Sequence, residues 1–206
     1  MTVESKPAGH REHQPIINIV GEKVALGPDR RDLVPLQHGW SNDFEVVHLM
    51  GTPRPSTLES EEALHSRISK EQDHASFIIY EKAHLRPVGS TGLVDINQSN
   101  RNAEFYIMIC DKADWGKGYG TEVAQLMLEY GFTCLGLHSV NLWVNAANER
   151  GVGAYQRAGF KMAGRLRQSR RMGDQAHDYL LMDCLATEFE DGALGHVLPE
   201  SPGVKE

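Results

Sequence analysis

Eight residues, Trp115-Gly116-Lys117-Gly118-Tyr119-Gly120-Thr121-Glu122, limit most strongly what this 206-residue chain can fold into. Glycine at alternate positions allows positive φ and lets a ligand come close to the main chain. The segment before it, Glu104 to Cys110, is a strand-like apolar run. After it, Val123, Leu126, Met127 and Tyr130 fall at i, i+3, i+4 and i+7, one apolar face of a helix. A strand, a glycine loop and a helix in that order present free N–H groups at a helix N-terminus, which is an anion site. The same order also suits a tight turn that binds nothing, because a lone glycine cluster is a weak signal.

Length and composition bound the rest. A chain of 206 residues with 40% apolar and 24% charged residues suits one globular domain. The expected limits are a mobile tail over residues 1–15, a domain over 16–189 and a tail over 190–206. No apolar run nears the ~18 residues of a membrane span, and Met1 to Gln14 lacks a signal-peptide core. A cytoplasmic protein with no membrane partner is expected. Cys110, Cys134 and Cys184 are an odd count without close spacing. They read as reduced, mostly buried thiols rather than disulfides, a zinc site or a nucleophile. His10 and His13 have no further ligands near them, so no metal is expected. A net charge of −7 argues against nucleic acid and favours a cationic partner.

Read in order, residues 16–20 and 23–28 form a hairpin closed at Gly21-Glu22. A helix is expected from Asp29 through Leu33, Leu36 and Trp40, and Ser41-Asn42-Asp43-Phe44-Glu45 caps a short one through Val47 and Met50. Gly51 to Ser56 is a loop, and Thr57 starts a helix to about Lys70. Residues 75–80, 87–96 and 103–110 are strands joined by short turns, the second carrying glycines that suggest a bulge. A helix between the strands 103–110 and 139–144 favours a parallel pair. Asn148 caps a helix that Gly159 ends. Residues 160–166 and 178–185 close the domain as a hairpin. The expected fold class is α/β (α+β), with a mixed, mostly antiparallel central sheet flanked by helices.

The glycine segment resembles motif A of the GNAT acyltransferases, Arg/Gln-x-x-Gly-x-Gly/Ala, with Trp115 in place of the Arg/Gln. About thirty residues on, Asn148-Glu149-Arg150 and Tyr155-Gln156-Arg157-Ala158-Gly159-Phe160 are similar to the family's second signature, Asn-x-x-(small)-x-x-x-Tyr-x-x-x-Gly-Phe. The likeness is close from Pro87 to Leu185 and looser back to about Ile19. It is nearest the branch of ribosomal-protein, spermidine and antibiotic acetyltransferases. It implies a single GNAT domain whose strands splay at an acetyl-CoA site, with acetyl-CoA as cosubstrate.

Acetyl transfer needs a polarised thioester carbonyl, a neutral amine and a proton for the departing thiolate. The N–H groups of Gly116, Lys117, Gly118, Tyr119, Gly120 and Thr121 suit the diphosphate. Trp115 removes one polar side chain from that site, and Lys117 can add a charge or simply meet solvent. By the resemblance, the main chain of Ile107, Met108 and Ile109 binds the pantetheine arm and offers one N–H to the thioester oxygen. The resemblance also assigns Asn148 to pantetheine and Tyr155 to the cofactor site as general acid. An unperturbed phenol near pKa 10 suits that role; a Tyr alone would read as packing its helix, but with Asn148, Gly159 and Phe160 in place the catalytic reading is favoured. Glu104 is the first candidate base, Asp95 the second, and structural ion pairs are the alternative for both.

The first helices of such a fold wall the acceptor pocket, and residues 40–73 carry seven acids against three bases. Trp40, Asp43, Phe44 and Glu45 are candidates to hold an amine by charge and cation–π contact; as core aromatics and a solvated face they would do neither. Asp178 is a further acceptor candidate. Lys161, Arg165, Arg167, Arg170 and Arg171 form a basic run, expected to be solvated hairpin charge. The expectation is N-acetylation of a small cationic amine by a monomer or homodimer, with an aminoglycoside-type antibiotic as first guess. A protein N-terminus or a polyamine is the alternative acceptor. A non-catalytic acetyl-CoA sensor is the alternative from another class.

Overall fold

The computed structural model describes residues 14–50, 54–172 and 174–189. Apart from residues 14 and 15, the expected tails lie outside them, as do His10, His13 and part of the loop after Met50. Among the described residues, eight strands form one sheet in the order β1-β2-β3-β4-β5-β6-β8-β7. The strands are β1 (Ile19–Val20), β2 (Val24–Pro28), β3 (Ala75–Glu81), β4 (Arg86–Asn97), β5 (Asn102–Ile109), β6 (Ser139–Asn145), β7 (Lys161–Met172) and β8 (Gln175–Leu185). Every neighbouring pair is antiparallel except β5 and β6. Between those two runs α4 (Tyr119–Glu129), so the chain returns to its starting end before β6 begins. The mixed sheet expected from the sequence is the one observed. No helix among the described residues is long and apolar enough to cross a membrane.

Helix α1 (Val34–Ser41) begins later than expected, after a 3-10 turn at Arg31–Leu33. Pro35 explains the shift. Its ring would clash inside a helix begun at Asp29 but suits a first turn. Asp29 instead accepts a hydrogen bond from the Arg30 N–H at 2.8 Å. Asp43 caps α2 (Phe44–Val47), and Thr57 with Ser60 forms a capping box on α3 (Leu58–Ile68). Helix α5 (Glu149–Ala158) is capped by Asn148 and ended by left-handed Gly159, both as expected.

The bulge expected in β4 is present next to Gly89, where the register shifts at Val88; a second shift lies around Asp95, whose φ is +51°. At Gly89 and Gly92 neighbours also crowd the strand. A Cβ on Gly89 would sit 1.9 Å from the Met108 carbonyl oxygen, and one on Gly92 would sit 2.7 Å from the Ala75 oxygen. Close approach is a second requirement for glycine here.

The core lies between the sheet and α4. Val123, Ala124, Leu126, Met127 and Leu128 are buried against Leu93, Phe105, Val140 and Leu142. A single π turn, Tyr130–Cys134, extends α4. All three cysteines are free, with Cys110 and Cys184 buried. Burial pushes both thiols up, Cys184 to about 11, so neither is poised as a thiolate.

One buried carboxylate ties the glycine loop to the sheet. Asp114 is 2% exposed and accepts two hydrogen bonds from Arg86 Nη2, at 2.9 and 2.8 Å, and one from Lys117 Nζ at 2.8 Å. Arg86 opens β4 and Lys117 lies in the loop. Burial alone would raise the Asp114 pKa, but the hydrogen bonds from Lys117 and Arg86 outweigh it and hold the carboxyl below its usual range.

Three substitutions test these contacts by their effect on stability. Gly89→Ala is expected to cost about 2 kcal/mol or more in urea unfolding. Gly39→Ala, inside α1 with nothing within 4 Å of its Cβ, is expected to gain up to ~1 kcal/mol. Asp114→Asn is expected to lose about 2 kcal/mol at pH 7. A depressed folded-state pKa stabilises above the unfolded value and is lost as pH falls through the folded one. The gap between wild type and Asp114→Asn therefore narrows below about pH 4.

Candidate active site

The geometry begins where two strands part. β5 pairs with β6 only through Asn102, Ala103 and Glu104, opposite Ser139, Val140 and Asn141. β5 then runs on to Ile109 beside β4 alone. The splay expected from the resemblance is present. Cys110 N–H donates to Val88 O at 2.9 Å, which sets the alternation along the β4–β5 ladder. Met108 and Tyr106 then turn their main-chain groups to β4, while Ile107 and Ile109 turn theirs to the open side. Trp115 Nε1 takes the Ile109 carbonyl at 2.9 Å. The N–H and C=O of Ile107 and the N–H of Ile109 face the wedge. Of the three residues expected to offer main chain, Met108 turns its N–H and C=O to β4 instead.

A cavity of ≈ 350 Å³ occupies the wedge. One wall is the glycine loop, with Gly116 (φ +79°) and Gly118 (φ +88°) in the left-handed region that other residues avoid. Gly118 caps α4, so the N–H groups of the first helical turn, Tyr119, Gly120 and Thr121, meet the cavity. The other wall is α5, through Asn148, Gly151, Ala154 and Tyr155. Small residues along this face leave room for an extended ligand. Lys117, expected near a phosphate, lies outside the lining, because Asp114 holds its ammonium at 2.8 Å.

Tyr155 faces the wedge from α5. Its ring packs edge-on against Phe105 and Phe160, with centroids 6.2 and 6.0 Å away. Burial, then the neighbouring Tyr179, pushes its phenol up to about 12. Tyr155 is therefore protonated at any working pH, the form an acid or hydrogen-bond donor needs. Asn148 spends its side-chain oxygen on Gly151 N–H at 3.0 Å, as a helix cap.

The candidate bases divide. Glu104 is the last β5 residue paired with β6, half-buried, at the fork itself. Burial, and secondarily the charge of Asp95, raises its carboxyl above the usual range. Asp95 is exposed at the β4 bulge, and neither carboxylate is among the lining residues of the two cavities described here, so position at the fork and burial set Glu104 apart.

The expected acceptor cradle does not assemble. Phe44 is 49% exposed, Asp43 is spent capping Glu45 N–H at 3.0 Å, and Glu45 pairs with Lys112. Trp40 is half-buried, and none of the four lines either cavity. Val46 and Met50 reach the wedge from the same segment instead. Asp178 accepts from Gln168 N–H at 2.9 Å and Arg165 Nε at 3.0 Å, pinning the β7 bulge far from a free role. Within the basic run, Lys161 pairs with Glu188 at 3.0 Å and Arg170 stacks on Tyr179. These charges lie on the hairpin, but pairing and stacking engage several of them where solvated charge was expected.

A second cavity of ≈ 230 Å³ lies on the other face of β5. Asp29, Gln37, Glu61, His65, Tyr106 and Met108 line it. Alternation puts Tyr106 and Met108 on the face opposite Ile107 and Ile109, and Met108 lines both cavities. Gln37 Nε2 donates to Asp29 at 2.9 Å, and His65 Nε2 lies 3.8 Å from its other oxygen. Ser56 Oγ donates to Glu61 at 2.5 Å. Sequence reasoning missed Asp29 and Glu61 as site residues. The i, i+4 spacing of Glu61 and His65 on α3, together with the strand alternation of Tyr106 and Met108, was the available signal. It missed Arg150 and Arg157 as well, which line the first cavity from α5.

Residues 26–161 match the family model of the Acetyltransferase (GNAT) domain. Spermidine N(1)-acetyltransferase of Escherichia coli K12 is 31% identical over 144 residues, 69% of this chain and 75% of its own. Human alpha/beta-tubulin-N-acetyltransferase 9 is 30% identical over 155 residues, 69% of this chain and 74% of its own. The crystal structure of spermidine N-acetyltransferase from Vibrio cholerae in complex with CoA and spermine superposes with a TM-score of 0.75 at 24% identity. It covers 81% of this chain and 97% of that one, a likeness of fold. The chain belongs to the GNAT acetyltransferase family: it is an acyltransferase with acetyl-CoA as its cosubstrate.

Proposed function

We propose that the protein acetylates a primary amine of a polyamine such as spermidine. The observation that carries this reading is the pair of cavities that meet at Met108, the second bearing the carboxylates of Asp29 and Glu61. Two acids in a recess suit an elongated cation, which they hold at its remote ammonium groups. The spermidine acetyltransferases among the relatives support the same acceptor. They favour the polyamine alternative over the aminoglycoside guess. The tubulin acetyltransferase supports a second reading, transfer to a protein amine.

Acetyl-CoA supplies an activated thioester: the amine nitrogen bonds to its carbonyl carbon, the C–S bond breaks, and no acyl-enzyme is needed. The loop from Gly116 to Thr121 holds the diphosphate through N–H groups and the α4 dipole. Ile107 and Ile109 give the pantetheine arm the strand-like partner that β6 does not. One of their N–H groups serves the thioester oxygen, an arrangement worth a few kcal/mol (~3) in the transition state. Asn148 orients the arm. Tyr155 donates its hydroxyl proton toward the departing sulfur.

Amine protonation sets the remaining problem. With an amine pKa of about 10.4, only about one molecule in a few thousand is neutral at pH 7. Glu104, with its raised carboxyl at the fork, is the proposed acceptor of that proton through water.

Thiol release from acetyl-CoA with spermidine, and with peptides bearing free N-termini, tests the acceptor. Spermidine turnover is expected, and turnover with peptides alone would replace this reading by the second. Tyr155→Phe is expected to lower kcat by about a hundredfold with KM changed far less. Asp29→Asn and Glu61→Gln are each expected to raise KM for spermidine about tenfold. A wild-type KM in both would remove the second cavity from the proposal.

A further inference from the structure

Across the fold the charge is unevenly used. Asp114, the buried acid of the cavity, is saturated by Arg86 and Lys117. Lys112, Lys161, Arg67 and Arg165 are each paired to a carboxylate. Arg150 is not: among the described residues no acid lies within ion-pair distance of it. It is the second residue of α5, and it lines the wedge opposite Gly116, Gly118 and Gly120.

Nor is its side chain loose. The guanidinium carbon lies 3.7 Å from the centroid of the Trp115 ring. That indole is itself fixed, by its N–H on Ile109 O at 2.9 Å. A guanidinium held over an aromatic face by cation–π contact still has a planar N–H fork to offer an oxyanion. Held in this way, it loses less side-chain entropy when it binds.

We propose that Arg150, held on Trp115, binds a phosphate of acetyl-CoA from the side of the cavity opposite the glycine loop. The loop offers neutral N–H donors and half a helix-dipole charge, whereas the cofactor's phosphates bring several full charges. A planar fork with a full positive charge suits phosphate oxygens, and the bonds are charge-assisted. Trp115 stands where the family motif has Arg or Gln. In this chain the tryptophan supplies the platform and Arg150 supplies the charge. Two phosphate groups share this chemistry, the diphosphate and the 3′-phosphate.

The inference rests on acetyl-CoA as cosubstrate and is independent of the acceptor. Titration calorimetry of free CoA and of dephospho-CoA tests it, on the full chain and on Arg150→Gln, at low and high salt. At low salt Arg150→Gln is expected to bind CoA about tenfold or more weakly. The two proteins are expected to converge at high salt, because the lost contact is one between charges. A defect that persists with dephospho-CoA places Arg150 on the diphosphate; one that disappears places it on the 3′-phosphate. Trp115→Ala, which removes the platform, is expected to reproduce part of the defect. Equal affinities in the two proteins would overturn the proposal, and so would a defect of the same size at every salt concentration, which marks a structural role. Wild-type protein that fails to bind CoA would overturn the cosubstrate assignment itself, and this inference with it.

Discussion

A strand in the middle of a sheet has lost its neighbour for half its length. Past Glu104, β5 has β4 on one side and no strand on the other. Buried main-chain groups without partners are costly, so an inner edge of this kind persists only where something else satisfies it. Trp115 already takes one of the exposed groups, the Ile109 carbonyl. The amides of a pantetheine arm are peptide-like and extended, and they match what the Ile107 and Ile109 groups require. The wedge is thus defined by the hydrogen bonds the sheet leaves unmade.

Several constraints keep the wedge open. Gly89 lets β4 press against the Met108 carbonyl, where a Cβ has no room. Thr91, fully buried, donates to the Tyr106 carbonyl at 2.8 Å and adds a second tie between the same strands. Asp114 pins the glycine loop to the start of β4 through Arg86. On the other wall, Tyr155 is fixed by Phe105 and Phe160. β5 therefore stays with β4, and the opening falls between β5 and β6. The same burial that fixes Tyr155 raises its pKa, so packing and proton inventory have one cause.

Local chemistry was legible before the structure. The glycine loop ahead of α4 and the bounding of α5 by Asn148 and Gly159 follow from residues a few positions apart, and the parallel return to β6 follows from the helix between the two strands. The acceptor side was not. Asp29 and Glu61 are thirty-two positions apart in sequence and share a cavity only because α3 packs against α1, which follows Asp29. Trp40, Asp43, Phe44 and Glu45 had suitable chemistry, but helix capping, an ion pair with Lys112 and exposure of Phe44 claim them. Asp178 failed for a similar reason, since a bulge in β7 took both its oxygens. Side-chain type indicates what a residue is able to do; its local partners decide whether it remains free to do it.

In the proposed reaction, cofactor and amine occupy the two faces of β5 at once and meet at Met108. Initial velocities of thiol release, with acetyl-CoA and spermidine varied together, test this arrangement. Simultaneous occupancy predicts intersecting double-reciprocal lines, the signature of a ternary complex. Parallel lines would mean that the acetyl group rests on the enzyme before the amine arrives, and would contradict the account.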